Sequence, residues 1–194
     1  QTRFALRALR TVEDKLDIYI INIPWGATGF INYYDEERLW IDSILQKTMQ
    51  HIQAGGHFDV SLQVTIPNEF EPLAPINIGY TAGIETTKVA PPWIEKGNTM
   101  NKILVVSNHS KNVYENTAYQ ATNNQTGEVI SNFKCTTPIE AINYCVRGVA
   151  PPANLNIELD YDFNFMVMAQ DGPRKNLINT IKWFVEEFVD QEVG

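Results

Sequence analysis

The residues best placed to do chemistry cluster near the C-terminus, where Asp171-Gly172-Pro173-Arg174-Lys175-Asn176 separates two apolar segments. Phe163 to Ala169 is an apolar run interrupted only by Asn164, and beyond the break apolar residues recur at 177, 178, 181, 184, 185 and 188, one side of a helix. A strand that turns directly into a helix is expected, with Pro173 at the first helical position because its φ is fixed and it has no N–H to lose. Cations in a first turn oppose the helix dipole unless an anion is bound, so Arg174 and Lys175 beside the backbone N–H groups from Gly172 onward suit a phosphate. A solvated basic turn is the alternative. A second set of candidates follows apolar strands: Thr81 at the end of Ile76 to Thr81, Glu85 just past it, and Ser107 after Ile103 to Val106. Glu85 at that place orients a substrate hydroxyl, caps the next segment or pairs with Lys88; Ser107 is an N-cap first and a ligand contact second. His51, His57 and His109 lie in no metal spacing with acids or thiols, and no metal site is expected.

The elements that must carry these groups alternate. Gln1 to Val12 reads as an amphipathic helix, Asp17 to Ile23 as a buried strand, and Trp25 to Phe30 as the loop behind it. Neither the dinucleotide fingerprint nor the P-loop spacing is met in that loop. Asp35 is the expected N-cap of a long helix that Gly55-Gly56 ends. Phe58 to Ile66 alternates and stops at Pro67, an edge-like strand; Ile76 to Thr81 and Ile103 to Val106 are strands, and Pro91-Pro92 opens a short helix between them. Residues 117 to 131 are rich in Asn, Gln, Thr and Gly, an exposed loop or hairpin, and Pro138 to Tyr144 holds a short helix or strand. Val146 to Leu155 has linker composition. The expected fold is α/β, a Rossmann-like parallel sheet with helices on both faces over residues 1–150, followed by a linker and one strand-helix unit over 151–194. A chain that opens on a helix with no strand before it is expected to lack the first strand of its sheet.

Two stretches resemble retaining GT-B glycosyltransferases of the glycogen-synthase-like group. Residues 163 to 188 resemble the opening of that family's second domain, where a strand ending in Gly-Arg leads to a Lys-Gly or Lys-Asn helix start. Lys175-Asn176 matches the Lys position; Gln170 stands at the Arg position, and Arg174 precedes the Lys. Ile78 to Trp93 followed by Asn101 to Ser110 resembles the last part of the first domain, and the order of the two matches is that of the family. The resemblance implies transfer of a sugar from a nucleotide-sugar donor to an acceptor, with Lys175, Arg174, Gly172 and Gln170 at the donor diphosphate and Thr81, Glu85 and Ser107 lining the acceptor side of the cleft. It implies no cofactor and no metal. It also implies that a glycine-rich loop and a pair of donor-binding glutamates lie outside this chain, so little turnover is expected from it alone. A non-catalytic flavodoxin-like module that binds a small ligand or a protein is the competing class; a nicotinamide oxidoreductase is disfavoured because no glycine fingerprint is present.

Composition sets further bounds. With 44% hydrophobic and 11% aromatic residues the chain can bury a core, and 15 Lys and Arg against 23 Asp and Glu, a net charge of −8, disfavour a nucleic-acid partner. No apolar run reaches the roughly 20 residues of a membrane span, and a cytoplasmic protein is expected. Cys135 and Cys145 read as buried free thiols, and the glycosylation triplets at Asn108 and Asn124 matter only in a secreted chain. An apolar run at 163 to 169 on an isolated unit, with an unfilled slot beside 17 to 23, is expected to close that slot or to pair with a second copy, giving a homodimer through residues 160–190.

Overall fold

In the computed structural model, residues 2–23, 34–122, 126–146, 148 and 158–191 are described. The expected loop at Trp25 to Phe30, most of the expected linker and the Asn124 triplet lie outside them. The chain divides into two compact units, 1–146 and 147–194.

The first unit is built on a four-stranded parallel sheet in the order β1 (Val60–Val64), β2 (Ile76–Thr81), β3 (Lys102–Val105), β6 (Ile139–Ala141). Flanking it are α1 (Thr2–Arg10), α2 (Glu36–Gln53), α3 (Pro91–Gly97) and α4 (Asn108–Asn116), and β4 (Ala118–Thr122) and β5 (Val129–Lys134) form a separate antiparallel hairpin. This is a Rossmann-like α/β arrangement. The expected strands at 58, 76 and 102 are present and parallel, β1 lies at an edge as its polar face suggested, and Pro138 to Tyr144 resolves into the strand that completes the other edge.

Local chemistry explains the helices. The Asp35 carboxylate accepts from the Arg38 N–H at 2.8 Å and starts α2, and Gly55, at φ +74°, lets the chain leave it. The acidic first turn of α2 faces the basic side of α1: Arg10 pairs with Glu36 at 2.8 Å, and Arg7 and Arg3 both reach Glu37. Hydrogen bonding to Glu37 raises the Arg7 pKa further.

The core occupies one face of the sheet. Ile103 and Val105 of β3 meet Phe70, Ile94, Met100, Val113 and Tyr114 there. On β1 and β2 the same face presents Gln63 and Asn77, both buried, whose amides clamp the loop after β1. Gln63 Nε2 donates to the Glu71 carbonyl at 2.6 Å and its Oε1 accepts from the Glu71 N–H at 2.9 Å; Asn77 Oδ1 accepts from Leu73 and Ala74 N–H at 2.9 and 3.0 Å. Two buried amides are thereby satisfied by backbone, as burial demands, and Phe70 is held down over Gly79.

Three expectations are corrected. Residues 17 to 23 form no strand: the Ile20 N–H donates to Thr48 Oγ1 of α2 at 2.9 Å, Ile18 is buried, and the Tyr19 ring stacks near His51 and Phe58, so the run packs on a helix instead of joining a ladder. Its hydrophobicity is spent on side-chain burial, which a strand pattern does not distinguish from sheet pairing.

In the second unit Phe163 to Ala169 is also no strand. Phe165 packs on Phe163, Phe184 and Phe188 at ring separations of 5.0 to 5.3 Å, so the run contacts α5 (Leu177–Phe188) through its aromatic rings and pairs with no strand among the described residues. Finally, Pro173 does not open α5. Pro173–Lys175 forms a single 3₁₀ turn, and Asn176, at φ +51°, takes the left-handed conformation that a helix cannot continue through.

Candidate functional site

Parallel sheets bind ligands beyond the carboxyl ends of their strands, where the loops converge. Here β2 and β3 are the interior strands, and Thr81 pairs with Val105 across them. The loop 82–90 and the start of α4 therefore emerge side by side. This places Glu85 and Ser107 on the same edge of the sheet.

The three expected cleft residues fare differently. Thr81 is 1% exposed and its hydroxyl donates to the Ala82 carbonyl at 3.4 Å, so it supports the edge from beneath and offers nothing to a ligand. Its place in the alternation of β2, where 76, 78 and 80 are less buried than 77, 79 and 81, sends it to the core face. Ser107 caps α4, its Oγ accepting from the Ser110 N–H at 3.1 Å, which is the capping role the sequence put first. Glu85 is exposed on the loop. It does not pair with Lys88, whose ammonium instead lies 5.6 Å from the Tyr119 ring centroid.

The loop itself is held firmly. The Val89 N–H donates to Thr117 Oγ1 at 3.2 Å, the Val89 carbonyl accepts from the Tyr119 hydroxyl at 2.7 Å, and Thr86 Oγ1 donates to the Lys88 carbonyl at 2.7 Å. Between this loop and the start of α3 lies an open cavity of ≈ 300 Å³ whose wall includes Gly83, Thr86, Lys88 and Trp93. Gly83 sits at φ +90° with open space where a Cβ would be. Sequence reasoning passed over Gly83, Thr86, Lys88 and Trp93 as site residues. The available signal was a glycine two residues beyond a strand end, followed by a lysine and a tryptophan within ten residues.

A second cavity, ≈ 290 Å³, is lined by Glu13, Asp17, Trp40 and Lys47 among others. Its polar groups are already engaged with one another: Lys47 pairs with Asp17, and the Trp40 Nε1–H donates to Glu13 at 3.1 Å. Hydrogen bonds from Lys47 and then Tyr19 hold the Asp17 carboxyl below its ordinary range. The hydroxyl of Ser43, also in the wall, donates to the Trp40 carbonyl at 2.7 Å.

In the second unit, Gln170, Arg174 and Lys175 are exposed and Gly172 is half-buried. The Lys175 and Asn176 N–H groups both point to the Gly172 carbonyl, at 3.0 and 3.3 Å. Two of the backbone donors expected to face a phosphate, those of Lys175 and Asn176, are thus bonded within the turn, a correction that follows from the 3₁₀ geometry. The Lys175 ammonium forms no ion pair among the described residues, and Arg174 is not without a partner.

Among the described residues no group of three His, Cys, Asp or Glu comes together, and no helix is long and apolar enough to cross a membrane. Neither a family model, nor a curated protein, nor a solved structure matches this chain.

Proposed function

We propose that the chain is the acceptor-side domain and the opening of the donor-side domain of a GT-B glycosyltransferase, which moves a sugar from a nucleotide-sugar donor to an acceptor. The observation that carries the reading is the parallel sheet with its interior carboxyl edge occupied by the loop 82–90 and the start of α4, both within the Ile78 to Ser110 part of the family resemblance. Such an edge is where an α/β fold gathers a substrate. Departure of a nucleoside diphosphate requires positive charge where the negative charge develops. On this reading Lys175, with Arg174, supplies it through side chains, since the turn's own N–H groups at 175 and 176 are bonded to Gly172. Glu85 orients the acceptor hydroxyl, and Gln170 and Gly172 flank the diphosphate. Exposed apolar side chains on α5, among them Ile178 and Trp183, favour self-association through residues 160–190, which sedimentation reads directly.

The test is a titration of the chain with UDP, GDP and ADP, followed by amide spectra. Shifts confined to residues 170–176, weak in affinity and abolished by Lys175→Ala, are the expected result, with a loss of turnover of about a hundredfold in an active form. No response to any of the three nucleotides at millimolar concentration removes the reading.

A further inference from the structure

We infer that the cavity between the loop 82–90 and α3 binds a single sugar ring carrying an anionic group, a phosphate or a carboxylate. The inference rests on the reading above only in identifying that ring as the acceptor. Size points to one ring: ≈ 300 Å³ lies at the small end of the roughly 300–1,000 Å³ of ligand pockets, too little for a nucleotide sugar.

The wall has two kinds of surface. Ile84 and Val89 are buried and apolar, and Trp93 packs partly on the core while its remainder reaches the cavity. An indole beside a shallow cavity is suited to the C–H face of a pyranose, which is apolar although its rim is hydroxylated. The polar residues of the wall are Thr86, whose hydroxyl hydrogen is donated to Lys88 O and whose oxygen can still accept from a sugar hydroxyl, and Lys88.

Lys88 decides the charge of the ligand. In this acidic chain Lys47, Lys96, Lys102, Lys111 and Lys182 each pair with a carboxylate. Lys88, like Lys15, Lys134 and Lys175, has no carboxylate partner among the described residues, and it is the one of these four in the wall of this cavity; its ammonium lies 5.6 Å from the Tyr119 ring centroid. Glu85, on the same loop, is not without a partner of its own and is not part of the wall. The Val89 and Thr86 hydrogen bonds hold the backbone from which Lys88 projects before a ligand arrives, which lowers the ordering cost of the loop on binding.

The experiment titrates the full chain with glucose 6-phosphate, glucuronate, glucose and inorganic phosphate, and follows the amides of residues 83–93 and the binding heat. At least one anionic sugar is expected to bind about tenfold tighter than either glucose or inorganic phosphate; which one does identifies phosphate or carboxylate as the group. Lys88→Gln, at an exposed position that leaves the fold intact by circular dichroism, is expected to remove that tenfold advantage, and Trp93→Phe to weaken glucose and the anionic sugars alike. Equal binding of glucose, equal binding of inorganic phosphate, no binding of either anionic sugar, or an unchanged Lys88→Gln each overturns the inference. A response here without any nucleotide response at residues 170–176 supports the pocket and removes the transferase reading, so the two failures are separate.

Discussion

Gly79→Ala is a direct test of how the core is seated on the sheet. Gly79 lies in the interior strand β2, opposite Gln63 on one side and Ile103 on the other, and the Phe70 ring covers it. A Cβ built there would stand 2.5 Å from Phe70 Cε2 and 3.0 Å from Cε1, against the roughly 3.5–4.0 Å of favourable carbon contact. The strand cannot retreat, since ladders hold it on both sides. Nor can the ring lift freely: Phe70 is fully buried, its N–H is bonded to the Pro67 carbonyl at 3.1 Å, and the Gln63 and Asn77 amides clamp the residues that follow it. Overpacking of this kind costs about 1–3 kcal/mol, and the upper part of that range applies where both partners are pinned. Alanine recovers about 0.4–1 kcal/mol by restricting the unfolded chain, leaving a net loss of roughly 1–2 kcal/mol. With a urea m-value of about 2 kcal/mol/M, the midpoint followed by near-ultraviolet circular dichroism falls by about 0.5–1 M. Gly79→Ala combined with Phe70→Leu should be more stable than the sum of the two singles by about 1 kcal/mol, because the shorter side chain vacates the contested space. An unchanged midpoint in the single variant, or strict additivity in the pair, refutes this account of the core.

Tyr114 is fully buried and its hydroxyl has no hydrogen-bond partner among the described residues, so Tyr114→Phe is expected to be neutral or to stabilise by up to about 1 kcal/mol; a loss larger than that shows a partner for the hydroxyl. Burial, and then the neighbouring Cys135, push the Tyr114 phenol well above its ordinary value, and burial also raises the Cys135 thiol. Both folded pKa values exceed the unfolded ones, so their contribution is complete below about pH 8.5 and is lost progressively as pH rises through and beyond about pH 10. Unfolding curves should show that alkaline decline, reduced in Tyr114→Phe and in Cys135→Ala; identical pH profiles in all three chains exclude it. Ser107→Ala should cost about 0.5–2 kcal/mol as a lost N-cap and leave anionic-sugar binding at the loop 82–90 within twofold; a larger binding defect makes Ser107 a ligand contact.

Much of the sheet is readable in the residues themselves. Val60–Val64, Ile76–Thr81 and Lys102–Val105 alternate or run apolar between turn residues, and Asp35, Gly55 and Ser107 mark helix ends by side-chain chemistry that acts within a few residues. The edge carrying Glu85 and Ser107 follows from the same strand ends. What is not readable is where an apolar run goes. Asp17 to Ile23 and Phe163 to Ala169 have the composition of strands, yet one packs on α2 through Ile18 and Tyr19 and the other on α5 through Phe165. A ladder requires a neighbour of free backbone groups, and no local pattern says whether one is present.

The same division runs through the candidate sites. Periodicity placed Arg174 and Lys175 in one turn, but the hydrogen bonds that close that turn on Gly172, and the left-handed Asn176 that separates it from α5, are properties of the folded backbone. Thr81 stands at a strand end in the sequence; only the orientation of β2 over the core decides that its hydroxyl is buried. Lys88 shows the reverse case. A carboxylate three residues away in sequence, Glu85, offers it a partner, and the fold turns its ammonium toward Tyr119, thirty-one positions on. Local sequence determines which groups are available and which backbone each prefers, because caps, turns and alternation act over a few residues. Which charge meets which ring, and which cavity that leaves, depends on contacts between distant parts of the chain, and those exist only once the tertiary structure has formed.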